Sequence, residues 1–207
     1  MLLISQPSTP GLTELPETRR ETRTLISMMK RQRVESLLLE DDAATIGRVT
    51  GEMKTYDWVH FACHAIQDRE HSLTSGIHLH DGRLELLEMM KSQISNADHA
   101  FMSACETSTG DRTLSDEAVH IAAGFLAAGY RGVVATMWSI RDTHGPEIAS
   151  EFYKDLLEEQ MGKVGETRLD SSRAAHALDR STRRFREKLG DTEYALLTWV
   201  PYVHFGI

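Results

Sequence analysis

Along the chain, short apolar runs alternate with stretches of helical periodicity. Leu2–Ser5 is a short apolar start, and residues 6–16, rich in Pro, Gly, Ser and Thr, read as loop. From Glu17 a helix is predicted. Leu25, Ile26, Met28 and Met29 form its apolar face, while Arg19, Arg20, Arg23, Lys30 and Arg31 stay in water. Residues 34–39 (VESLLL) read as a second strand. Asp41 or Asp42 then caps a short helix through Met53, with Ile46 and Val49 inward. Residues 58–62 (WVHFA) are apolar at nearly every position, as in a strand covered on both faces. Gly76–Leu79 reads as a short antiparallel piece, residues 84–91 as helix, and residues 99–104 (HAFMSA) as another buried strand. A helix capped by Ser115, with Asp116 and Glu117 in its first turn, runs to Ala128, where Gly129 suits a left-handed terminus. Its Val119, Ile121, Ala122, Ala123, Phe125 and Leu126 are apolar nearly all round, so it is predicted to be buried. Residues 132–138 (GVVATMW) are the next strand, 147–158 the next helix, 169–189 a long charged helix and 200–205 a last strand. Residues 160–172 between them are the most loop-like.

Strand–helix alternation with apolar strands predicts a layered α/β fold around a mainly parallel sheet, joined by right-handed helical crossovers. The expectation is one domain over residues 1–207. Composition agrees, with 41% hydrophobic and 26% charged residues in 207. No run approaches the roughly 18 apolar residues of a membrane span. The N-terminus lacks the basic region of a signal peptide. The formal charge, 23 − 31 = −8, opposes nonspecific binding to nucleic acid or anionic membrane. The basic run RSTRRFREK (residues 180–188) reads as a solvated, ion-paired helix face. Two cysteines, Cys63 and Cys105, exclude a disulfide framework, so the expected location is intracellular and cytoplasmic.

Two nucleophile-grade side chains follow directly on buried strands: His64 after WVHFA and Cys105 after HAFMSA. Functional groups of open α/β sheets stand at such strand ends. The separation, 105 − 64 = 41 residues, leaves room for a hairpin and a crossover helix returning parallel. An imidazole beside a thiol takes its proton, and the thiolate attacks a carbonyl. The backbone N–H groups of Cys105 and Ala65 are the natural donors to the resulting oxyanion. Cys63, adjacent to His64 in an extended run, faces the other way and is read as core. His60 and His64 lie ~13 Å apart on a strand and cannot share a metal ion. His78 and His80 add no CxxC or HExxH pattern, so no metal and no cofactor are expected.

HFACHA (residues 60–65) followed by SACETSTG (103–110) resembles the paired signature of the CHAT domain, a caspase-like cysteine peptidase domain of the caspase–separase–gingipain clan. LISQPSTPGLTELP (3–16), FLAAGYRGVVATMWSIRD (125–142) and WVPYVHFG (199–206) are also similar to that family, so the resemblance spans nearly the whole chain. It implies a caspase-like α/β/α sandwich with a mainly parallel central sheet. His64 matches the dyad histidine and Cys105 the nucleophile. Asp142 matches an acidic residue that, in the separase branch, binds a basic P1 side chain. Ala65 stands where the family has glycine; alanine keeps the N–H but tolerates positive φ poorly. The implied function is a regulated cysteine endopeptidase of signalling or defence, acting on protein or peptide substrates, with an upstream sensor or repeat domain as partner. The alternative is a catalytically weak or inactive module serving as a protein-binding scaffold.

Overall fold

The computed structural model describes residues 1–66, 68, 71–106, 118–138, 140, 144–158 and 169–207, with backbone alone at 104–106 and 118–120. Its strands are β1 (Leu2–Ser5), β2 (Leu37–Glu40), β3 (Trp58–Ile66), β4 (Gly76–Leu79), β5 (Gly82–Glu85), β6 (His99–Glu106), β7 (Gly132–Thr136) and β8 (Tyr202–Gly206). The helices are α1 (Pro16–Arg31), α2 (Ile46–Glu52), α3 (Leu86–Ser92), α4 (Ala118–Ala128), α5 (Gly145–Glu158), α6 (Ala174–Leu189) and α7 (Glu193–Trp199).

One sheet runs in the order β2-β1-β3-β6-β7-β8, parallel except for β8 at its edge. The β4–β5 hairpin attaches antiparallel to the end of β3. Since β1 pairs with β3 only as far as Ala62, β4 takes its place beside Ala65 and Ile66. Strand alternation sends apolar side chains both ways. Phe61, Cys63 and Met102 pack with Val49 of α2, Met89 of α3 and Phe125 of α4. Trp58, Phe101 and Val134 pack with Leu25 of α1, Phe152 and Tyr153 of α5 and Phe185 of α6. The architecture is thus the expected α/β/α sandwich on a mostly parallel sheet.

Several local expectations change. The second strand begins at Leu37 rather than at residue 34, and the cap of α2 is Thr45, whose hydroxyl accepts from Arg48 N. Asp41 and Asp42 instead open a 3₁₀ turn, Asp41 with φ of 51°. The strands bearing HFACHA and SACE are longer than their apolar runs, so residues 64 and 105 lie within β3 and β6 instead of following them. α4 ends as expected: Tyr130 N bonds Phe125 O, Gly129 N bonds Leu126 O, and Gly129 has φ of 116°. The proposed Ser115 cap and its acidic first turn lie outside the described residues.

Candidate active site

The parallel register of β3 and β6 pairs Ala62 with Ser103, Cys63 with Ala104, His64 with Cys105 and Ala65 with Glu106. The two residues singled out by their chemistry are therefore opposite each other in one ladder, near the carboxyl ends of neighbouring central strands. Cys63 and His64 point to opposite faces. Cys63 is fully buried in the core shared with α3 and α4, as expected.

His64 is only 2% exposed. Its Nε2 lies 2.6 Å from the carbonyl oxygen of Thr13. A carbonyl can only accept, so this contact assigns the proton to Nε2 and leaves Nδ1 with the basic lone pair in the neutral ring. Nδ1 is buried and has no hydrogen-bond partner among the described residues. Thr13 lies in the breaker-rich loop before α1, which Gln6 ties to the sheet by donating its N–H to Ala62 O. The sequence marks that stretch only as loop and gives Thr13 no role, because a backbone acceptor leaves no mark in residue type.

A second imidazole stands nearby. The antiparallel pairing of Ala65 with Ile77 puts His78 of β4 next to His64. Burial, then Arg83 and His64, lower the pKa of His78, so its ring is held neutral. Its Nε2 is buried without a hydrogen-bond partner among the described residues. In the sequence His78 stood out only as part of a metal cluster that spacing did not support. Among the described residues, no group of three His, Cys, Asp or Glu side chains could hold a metal ion.

Ala65 is buried between β4 and β6 and does not have positive φ, so its Cβ imposes no backbone strain. Asp142 lies outside the described residues. Its nearest described neighbours are Ile140, which is buried, and His144, whose Nε2 is 2.7 Å from the Tyr194 hydroxyl on α7. The basic run of α6 is engaged in ion pairs: Arg180 and Arg184 with Asp155, Arg184 also with Glu151, and Lys188 with Glu147. No helix among the described residues is long and apolar enough to cross a membrane.

The profile of the CHAT domain family matches residues 1–207. No curated protein matches the chain significantly. Among solved structures, the fold is similar to the Arg-specific cysteine proteinase gingipain R, at 12% identity and a TM-score of 0.58 over 99% of this chain and 45% of the other. It is similar also to the complex of the pro- and mature domains of Porphyromonas gingivalis RgpB, at 11% identity and a TM-score of 0.57 over 99% of this chain and 46% of that one. The chain thus spans less than half the length of those proteins, and at such identities the likeness is one of fold.

Proposed function

Because the chain belongs to the CHAT domain family, we propose that it is a cysteine endopeptidase whose dyad is His64 and Cys105, with residues 1–207 as one caspase-like domain. In this reading the Cys105 thiol passes its proton to His64 Nδ1, the nitrogen left basic by the contact between Nε2 and Thr13 O. The sulfur attacks the scissile carbonyl, and the backbone N–H groups of Cys105 and Ala65 receive the oxyanion. His64 returns the proton to the leaving amine, and water then releases the acyl group with His64 again as base. Asp142 takes the side chain of a P1 Arg or Lys. The Arg specificity named for gingipain R, a protein of similar fold, supports that preference.

The observation that carries this reading is the ladder register that sets His64 opposite Cys105. The scaffold alternative leaned on Ala65 in the glycine position. The absence of positive φ there removes that argument. We further propose an intracellular, separase-like protease of signalling or defence, governed by an upstream sensor or repeat domain; the family resemblance supports this.

The test is a fluorogenic peptide panel with Arg, Lys, Asp, Leu and Met at P1, run on wild type, Cys105→Ala, His64→Ala and Asp142→Ala. Turnover of Arg or Lys peptides should vanish in Cys105→Ala and fall by on the order of 10³-fold in His64→Ala. Asp142→Ala should lose the basic preference. Cleavage after Asp or Met would overturn the assignment of Asp142. An inert Cys105, alkylated no faster than an ordinary thiol and indifferent to His64→Ala, would overturn the dyad and favour the scaffold.

A further inference from the structure

Beneath the candidate site lies a buried carboxyl group that the chemistry above does not use. Glu21 sits on the inner stripe of α1, with Thr18, Thr22, Leu25 and Met29, and is 2% exposed. A carboxyl group so placed is costly unless its oxygens are satisfied, and here both are. Oε1 lies 2.8 Å from Nε2 of the fully buried His60 on β3. Oε2 accepts from Ser103 Oγ on β6 at 3.1 Å. Oε2 also faces the start of α5: a Cβ on Gly145 would come within 2.9 Å of it and 2.8 Å of Ser103 Oγ, so only glycine lets the helix approach this closely. His60 is held in turn by Tyr153 of α5, whose hydroxyl is 3.3 Å from Nδ1. Burial and then Glu21 push the Tyr153 pKa up, so the phenol keeps its proton and donates it to Nδ1, while Nε2–H donates to Glu21.

One carboxyl group thus meets three elements, two of which carry a candidate site residue while the third begins just after one. His64 is four residues after His60 on β3, Cys105 two residues after Ser103 on β6, and Asp142 three residues before Gly145. Residues two or four apart on a strand share a face, so tethering His60 and Ser103 fixes the height and tilt of the strand ends that bear positions 64 and 105. We propose that Glu21, through His60, Ser103 and the start of α5, is a positioning residue that sets the mutual geometry of the site. The proposal rests on the dyad reading for its catalytic consequence and on the packing alone for its mechanical one.

The experiment keeps the two apart. Glu21→Gln retains size and hydrogen bonding but lacks the second symmetric acceptor, and Ser103→Ala cuts only the β6 tether. Phe125→Leu, in the core on the opposite face, serves as a control for general destabilisation. Hydrogen exchange in the folded proteins should be on the order of tenfold faster at residues 64–66, 103–106 and 144–148 in Glu21→Gln. It should rise at 103–106 only in Ser103→Ala, and at none of these sites in Phe125→Leu. Since misplacement by about 1 Å can cost on the order of 100-fold, kcat in Glu21→Gln should fall about tenfold or more with KM little changed. His64-dependent alkylation of Cys105 should fall with it. A uniform rise across the sheet in Glu21→Gln, or the same local rise in Phe125→Leu, would overturn the positioning role whatever the activity. Locally faster exchange with an inert wild-type Cys105 would uphold the tether and overturn the dyad instead.

Discussion

His99 is fully buried, with its ring 4.5 Å from Trp58 and 5.6 Å from His204 between centroids. Neither ring nitrogen has a hydrogen-bond partner among the described residues. Gly132 makes room for the pair, since a Cβ there would stand 2.8 Å from His99 Nδ1 and 2.9 Å from His204 Nε2. Burial first, and His204 second, lower the pKa of His99 from 6.5 to about 3. Between those values the unfolded chain binds a proton that the folded one refuses. Stability therefore rises with pH over this window, is whole above it, and is lost progressively as pH falls toward 3. At about 1.4 kcal/mol per pH unit, the loss approaches about 5 kcal/mol at the acid end. Urea unfolding of wild type at pH 7 and pH 4.5 should show the drop, and His99→Phe should flatten it. An equal drop in His99→Phe would place the acid sensitivity elsewhere.

The ion pairs of helix α6 are of unequal worth, those to Asp155 reaching α5 and that of Arg183 with Asp179 lying within α6 itself. Asp155 is 5% exposed and meets Arg180 Nε at 3.1 Å and an Arg184 nitrogen at 2.5 Å, whereas Arg183 and Asp179 pair at 3.0 Å in the open. Removing Asp155 takes from Arg180 and Arg184 the buried acceptor they share at the α5–α6 seam, and Asp155→Ala should cost about 2 kcal/mol. Asp179→Ala should cost less than about 0.5 kcal/mol. Denaturant midpoints decide, and equal losses would refute the distinction. Element existence was readable where periodicity was long, as in α1, α5 and α6, and where strands were apolar on both faces, as in β3 and β6. α7 escaped notice because it is short and exposes Tyr194, Leu196 and Leu197, which gives no buried stripe to follow. β5 was missed and its second half taken into the predicted helix at residues 84–91, since GRLE carries too few positions to show alternation. Glu21 escaped for the opposite reason. A glutamate among arginines reads as solvent-facing, and only the i, i+4 spacing to Leu25 and then Met29 marks its inward direction.

At the scale of the whole molecule, the candidate site was legible as far as strand placement reaches: positions 64 and 105 are opposite one another, and Cys63 is core. The Thr13 carbonyl, His78 and the Glu21 tether were not legible, because each depends on a long-range approach that no local pattern encodes. The strand pairings that build the centre of the sheet are all distant in sequence: Ile4 with Phe61, Phe61 with Met102, Phe101 with Val134. Such a ladder forms slowly and late, since each pairing closes a long loop before any contact rewards it. In refolding followed by pulsed alkylation, His64-dependent reactivity of Cys105 should return with the final cooperative phase and not before. Its return in an earlier phase would mean that β3 and β6 pair ahead of the rest of the sheet. This wiring has a consequence for a cell that makes the protein. A ribosome must add 105 − 64 = 41 residues after the histidine before the cysteine exists, and the crossover must then close. Nascent or frayed copies hold the two groups on separate, unjoined strands, so under the proposed dyad such a copy would lose its nucleophile's base before it is itself degraded.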